Sequence, residues 1–193
     1  MKILLVNAKT FICDSYPNVS VLPETAIVRS GTPFFIPDNE NRWQFNFGIG
    51  AVITRLGKSI EEHFAHRYWE KAILTARVQP VNRNTNKDLP PLGFDGSLLT
   101  GTTTPYGTRL NITTTKLPKA GNPSTIIKET TFELPENHTI LNRCIVLTSR
   151  FFSLHTGDIV MIEPDGSQTT DIIPDTRITV AADGDVIMTH KIK

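Results

Sequence analysis

Two long stretches of this chain contain no carboxylate: none lies between Glu40 and Glu61, and none between Glu70 and Asp88. Neither window can supply an anionic cage for a divalent cation, which needs several hard oxygen ligands. Cysteine is scarce as well. Cys13 and Cys144 are far apart and fit no metal or redox spacing, so two reduced thiols in a cytoplasmic protein are expected, with a bridge between them left open. No run of about 20 apolar residues exists. Ile3-Leu4-Leu5-Val6 is soon interrupted by Asn7, Lys9 and Asp14, which predicts a buried first strand and no signal core or membrane span. Charge of one sign is not in excess, because 20 Lys and Arg face 19 Asp and Glu and leave a formal net charge of +1. A basic face for nucleic acid is therefore not expected. Gly-x-Ser-x-Gly is absent too, so a serine triad has no support.

What the chain does have is β-strand material. At 193 residues it fits one domain, 1–193, large enough to bury a core without disulfides or metal. Short runs rich in Val, Ile, Thr and Phe recur between Pro, Gly and Asn clusters and predict an α+β, β-rich fold. Strands are expected at Lys2–Val6, Glu24–Arg29, Trp43–Arg55, Ala72–Val78, Gly107–Thr115, Ile126–Glu133, Asp158–Glu163, Ile178–Ala181 and Val186–Ile192. Two helices interrupt them. Ser59-Ile60-Glu61-Glu62 has the form of a capping box and opens a helix to about Trp69, with Ile60, Phe64 and Tyr68 as its apolar stripe. A second helix is expected to start after Thr139 and run through Phe152, with Leu141, Cys144, Ile145 and Phe151 at helical spacing. Pro80–Pro91 and the threonine-rich Thr100–Pro105 read as loops, Lys119–Pro123 as a hairpin connection and Asp183-Gly184 as a tight turn.

Five ordered blocks carry a resemblance. They are Pro33-Phe34-Phe35-Ile36-Pro37-Asp38, Arg55-Leu56-Gly57-Lys58, Phe64-Ala65-His66-Arg67-Tyr68, Gly93-Phe94-Asp95-Gly96-Ser97, and the run from Ser149 to Asp158. In this order, over nearly the whole chain, they resemble the bacterial fumarylacetoacetate hydrolase family. The resemblance implies a mixed β-roll or sandwich with about two helices, a dimer, and a Mg²⁺, Mn²⁺ or Ca²⁺ ion used to cleave or decarboxylate acylpyruvate-like keto acids. In that chemistry the ion chelates the keto-enol oxygens and stabilises charge as the carbon–carbon bond polarises.

The same resemblance shows what this chain does not keep. The family's acidic strand motif, Asp-Tyr-Glu-x-Glu-Leu, falls on Gln44-Phe45-Asn46-Phe47-Gly48-Ile49, which puts Asn46 and Gly48 at the two glutamates. A one-residue shift would offer Gln44 and Asn46 instead, again uncharged. The third acid falls on Ile73 or on Arg77, depending on the alignment. Leu92 stands at the family's lysine, Leu22-Pro23 at its Lys-Pro, and Met161-Ile162-Glu163-Pro164 at its Thr-Gly-Thr-Pro loop. Asn46, Gly48, Ile73, Arg77, Leu92, Ile162 and Glu163 are thus expected to mark a degenerate cleft with no metal ligands and no cofactor. Trp43, Phe45, Phe47 and Ile49 are expected to fill it.

Other constellations read as structure. His63 and His66 lie three apart, yet a hydrogen-bonded surface or packing role is favoured over metal ligation. Cys144 reads as core and Asp95 as a turn residue. The expected role is binding, regulation or dimer partnership without metal or C–C bond chemistry. The partner is a second copy of the chain or an active paralogue, with room for a small-molecule ligand and no nucleic acid or membrane. The alternative is a divergent hydrolase, isomerase or decarboxylase acting on a small keto acid in the same cleft. It would use Arg77, Asp88 or His155 by a metal-independent mechanism, or with weakly held Mg²⁺, Mn²⁺ or Ca²⁺.

Overall fold

A computed structural model describes residues 1–7, 18–38, 42–81, 92–104, 109–118, 124–133, 138–163 and 169–193. Twelve strands are present among them: β1 (Ile3–Val6), β2 (Val19–Leu22), β3 (Ile27–Arg29), β4 (Trp43–Ile53), β5 (Trp69–Pro80), β6 (Leu98–Thr104), β7 (Arg109–Lys116), β8 (Thr125–Glu133), β9 (Ile159–Ile162), β10 (Thr169–Asp171), β11 (Thr176–Ala182) and β12 (Asp185–Ile192). One α-helix, α1 (Thr139–Phe151), is present with two short 3-10 turns, Glu24–Ala26 and Glu62–Arg67. The fold is α+β and β-rich, as expected.

The larger, eight-stranded sheet runs β2-β1-β9-β4-β5-β6-β3, with β10 on β4, and a second sheet runs β12-β11-β7-β8. The large sheet is mixed: β1 lies parallel to β9, and β3 parallel to β6. It curls on itself. Ile3 and Leu5 of β1, Leu22 of β2, Ile73 of β5, Leu98 of β6, and Ile159 and Met161 of β9 share one apolar cluster, with Ile27 of β3 and Val52 of β4 packed against it. Both edges of the sheet therefore reach the same interior, which a flat sheet could not achieve. Ala26, in the 3-10 turn that joins β2 to β3, closes this inner core.

The outer face of the roll builds the main core. Because side chains alternate along a strand, Trp43, Phe45, Phe47 and Ile49 of β4 join Leu74, Ala76 and Val78 of β5 there. They pack with Leu110 and Ile112 of β7, Ile178 and Val180 of β11, and Leu141, Cys144 and Ile145 of α1. This corrects one expectation: the aromatic residues of β4 turn away from the roll interior and do not fill it. Gly50 suits the point where β9 pairs with β4, since a Cβ there would meet Met161 Cβ at 3.0 Å and Val160 O at 3.2 Å.

The second helix forms almost as expected and buries Leu141, Cys144, Ile145, Thr148 and Ser149. The first does not form as an α-helix. Ser59 has a positive φ of 49°, its amide donates to Ser149 O, and the Ile60 amide donates to Ser149 Oγ. Those donors serve α1, so no capping box closes, and only the Glu62–Arg67 turn remains before Trp69 enters β5. Phe64 is exposed, which breaks the expected apolar stripe. Glu24–Arg29 likewise starts as a 3-10 turn and becomes strand only at Ile27. Thr100–Thr104, expected as loop, is strand, because threonine's branched Cβ suits a strand paired with β5. Asp183-Gly184 forms the tight turn between β11 and β12, with φ of 50° and 92°. Residues 82–91 and 119–123, Cys13 and Asp88 lie outside the described residues.

Candidate functional site

The interior of the roll changes from apolar to polar along β4 and β5. In the antiparallel register Gly50 faces Ile73, Gly48 faces Thr75, and Asn46 faces Arg77. Ile73 belongs to the inner apolar cluster, whereas Thr75, Arg77 and Gln79 are buried polar residues on the same face. Asn46, Gly48, Ile73 and Arg77 are therefore brought onto one wall. Directly opposed residues in such a ladder have Cβ atoms about 5 Å apart, so Asn46 and Arg77 are immediate neighbours.

Glu163 joins them from beyond the end of β9. The Arg77 guanidinium donates through Nη1 to Glu163 Oε1 in a short ion pair, and Asn7 Nδ2 donates to Glu163 Oε2 at 2.9 Å. The Glu163 amide donates to Val6 O at 2.7 Å, which continues the β1–β9 ladder by one residue. Arg77 is only 5% exposed. A guanidinium at that depth would carry a desolvation cost of several kcal/mol without a counter-charge, and Glu163 supplies it.

The pairing of β4 is interrupted along this wall. On one edge of β4, β9 pairs with Gly50–Val52 and β10 pairs with Gln44–Asn46. Among the described residues nothing pairs with Phe47–Ile49 on that edge, and Gly48 there is half-buried where its neighbours Phe47 and Ile49 are buried. The Thr75 hydroxyl opposite Gly48 is fully buried and has no hydrogen-bond partner among the described residues.

The remaining candidates lie elsewhere. Ile162 faces the main core, on the other side of β9 from Glu163. Leu92 is exposed. His155 is exposed in the turn that opens β9, where its amide donates to Asp158 Oδ2 at 2.8 Å. Asp158 and Glu163 bracket β9, roughly 16 Å apart at about 3.3 Å per strand residue. His155 and Arg77 therefore do not converge on one reacting centre. Cys144 is a free, buried thiol whose pKa burial pushes up to about 12, which leaves no thiolate for nucleophilic use. His63 and His66 are both exposed.

The sequence singled out Arg77 and Glu163 separately and missed their pairing. It also missed Asn7 and Thr75. The only linear signal was one basic residue and one acidic residue, each at the end of a buried apolar run.

A divalent ion needs acidic oxygen donors, and the wall offers the neutral amide of Asn46, no side chain at Gly48, and either apolar Ile73 or cationic Arg77. Among the described residues no three His, Cys, Asp or Glu side chains come together. Glu163 is already engaged by Arg77 and Asn7. Among the described residues, the side chains on this wall do not fit a divalent metal.

No protein-family model matches the chain, and no curated protein sequence matches it. Solved structures do. A Yersinia pestis protein assigned to the fumarylacetoacetate hydrolase family superposes with a TM-score of 0.70 at 18% identity, over 100% of this chain and 92% of that one. Fumarylpyruvate hydrolase from Pseudomonas aeruginosa, solved with Mn²⁺ and pyruvate, gives 0.69 at 15% identity, over 100% and 89%. 5-Carboxymethyl-2-hydroxymuconate delta-isomerase from Mycobacterium smegmatis gives 0.68 at 18%, over 99% and 76%. Hydrolases and isomerases thus share this architecture, and the chain has the fold of the fumarylacetoacetate hydrolase family.

Proposed function

We propose that this chain is a divergent, single-domain member of the fumarylacetoacetate hydrolase family, residues 1–193, without divalent-metal binding and the C–C bond hydrolysis or decarboxylation that depends on it. It acts in the cytoplasm as a binding, regulatory or dimer-partner protein, as a homodimer or beside an active paralogue, with a small-molecule ligand in the same cleft. The observation that carries this reading is the donor set of the roll interior. Amide, hydrogen and guanidinium stand on the wall of β4 and β5 where three carboxylates would be needed, and the nearby carboxylate of Glu163 already has a cation. Coulomb repulsion from Arg77 at a few Å opposes an incoming divalent ion in a medium that screens charge far less than water.

Elemental analysis of the protein purified without chelator, paired with an acylpyruvate cleavage assay in added Mg²⁺ and Mn²⁺, tests the proposal. The expected result is less than 0.1 ion per chain, on the order of background for a site without anionic ligands, and no turnover above the metal-only control. A stoichiometric ion with turnover would reverse it.

A further inference from the structure

We infer that the Arg77 guanidinium is the resident cation of this site: a side chain occupies a cation seat, and Glu163, which is not among the acids the resemblance implies, holds it there. The inference rests on the proposed loss of metal binding and goes one step further, because it assigns the seat an occupant and a ligand set.

Three observations place the cation. Arg77 stands opposite Asn46 on the roll interior, on the wall where the resemblance puts the ion's ligands. Its guanidinium contacts the Glu163 carboxylate, whose other oxygen is held by Asn7. The chain that delivers Glu163 is fixed by the ladder bond from its amide to Val6 O, so the carboxylate is positioned by backbone and not by a flexible stem alone. Positive charge thus stands in the polar part of the roll interior, supplied by a side chain. An ion dissociates with dilution, pH or a chelator, whereas a guanidinium stays charged and attached at any physiological pH. The site would then be constitutively loaded.

The physical consequence is specific. If Arg77 fills a cation seat, deleting its side chain leaves a partly buried carboxylate held by Asn7, and small cations should enter. The test uses the full chain as wild type, Arg77→Ala, and Arg77→Ala with Glu163→Gln. Thermal midpoints are measured in 5 mM MnCl₂ or 5 mM methylguanidinium chloride against matched NaCl, and bound Mn²⁺ is counted by electron paramagnetic resonance. Because a ligand that binds only the folded state raises its midpoint, Arg77→Ala should gain roughly 2–4 °C in either cation if it binds at about 1 mM. Wild type should move by less than about 1 °C, and the gain should vanish in the Glu163→Gln background.

Where Arg77→Ala does not fold alone, refolding yield with and without each cation replaces the midpoint, and the inference requires the yield to rise. No response of Arg77→Ala to either cation overturns the inference and leaves the proposed function standing. A response that survives Glu163→Gln overturns the assignment of Glu163. About one Mn²⁺ bound per wild-type chain overturns both the inference and the function it rests on.

Discussion

Arg77→Met is expected to destabilise the chain by about 3 kcal/mol, and adding Glu163→Gln to it should recover at least half of that loss. Removing one partner of a buried pair leaves the other as an uncompensated charge, whereas removing both leaves only smaller polar groups. Glu163 is 20% exposed, so the cost falls toward the low end for buried pairs. At roughly 2–4 °C per kcal/mol for a chain of this size, the single variant should lose about 6–12 °C in Tm.

The Arg109–Glu133 pair on β7 and β8 provides an internal reference. Its side chains are 67% and 66% exposed, and pairs of that kind contribute less than about 1 kcal/mol. Denaturant unfolding of Arg77→Met, Glu163→Gln, the double variant and Arg109→Met separates these cases. Equal losses for Arg77→Met and Arg109→Met would show that burial gives the interior pair no special weight. A double variant as unstable as the sum of its singles would show that the two residues do not act as a pair.

The strands that build this site were readable because alternation is local. Trp43, Phe45, Phe47 and Ile49 recur at period two, and β4 follows directly. Which face of β4 meets the roll interior was not readable, since that depends on β9 and α1 packing from far along the chain. The aromatic residues went to the main core and left Asn46 and Gly48 on the inner wall. The capping box at Ser59 failed for a similar reason. A local pattern of modest strength met the carbonyl and hydroxyl of Ser149, and the tertiary bonds prevailed. β2 and β10 were missed because each is short and partly polar, so neither shows a period.

The candidate site divides the same way. A deficit of carboxylates can be counted in any linear sequence, and among the described residues Asn46, Gly48 and Arg77 share the wall on which that deficit falls. The Arg77–Glu163 contact spans 86 positions and exists only because β5, β4, β9 and β1 lie side by side. No spacing rule encodes it. The architecture is shared with solved structures at 15–18% identity, which fits a roll specified by apolar alternation more than by particular residues.

At the opposite end of β9, Asp158→Asn is expected to cost about 2–3 kcal/mol at pH 7, with the gap to wild type closing in acid. Asp158 is almost fully buried and accepts from three donors: the Lys2 amide at 3.0 Å, the His155 amide at 2.8 Å, and the Lys2 ammonium in a short ion pair. Burial alone would push its carboxyl up, but the Lys2 ammonium, the His155 and Lys2 amides and the Lys2 charge together outweigh burial and hold it below the usual range. A carboxyl depressed in the folded state stabilises fully above its unfolded pKa near 3.9 and loses that contribution as pH falls through its lower folded value.

Wild type should therefore lose stability steeply below about pH 4, and Asp158→Asn should follow a flatter acid limb. Unfolding curves from pH 7 to pH 2.5 read the difference. A gap that stays constant across that range would mean the charge of Asp158 is irrelevant and only its shape matters. The effect should reach the inner wall. β1 and β9 run parallel with Ile3 beside Ile159 and Val6 beside Ile162, so Lys2–Asp158 clasps one end of the pair and Asn7–Glu163 the other. Loosening the first clasp frees β1 to slip or fray against β9, and the carboxylate that holds Arg77 then loses its fixed seat. Asp158→Asn should for that reason weaken the coupling measured between Arg77 and Glu163, although it touches neither.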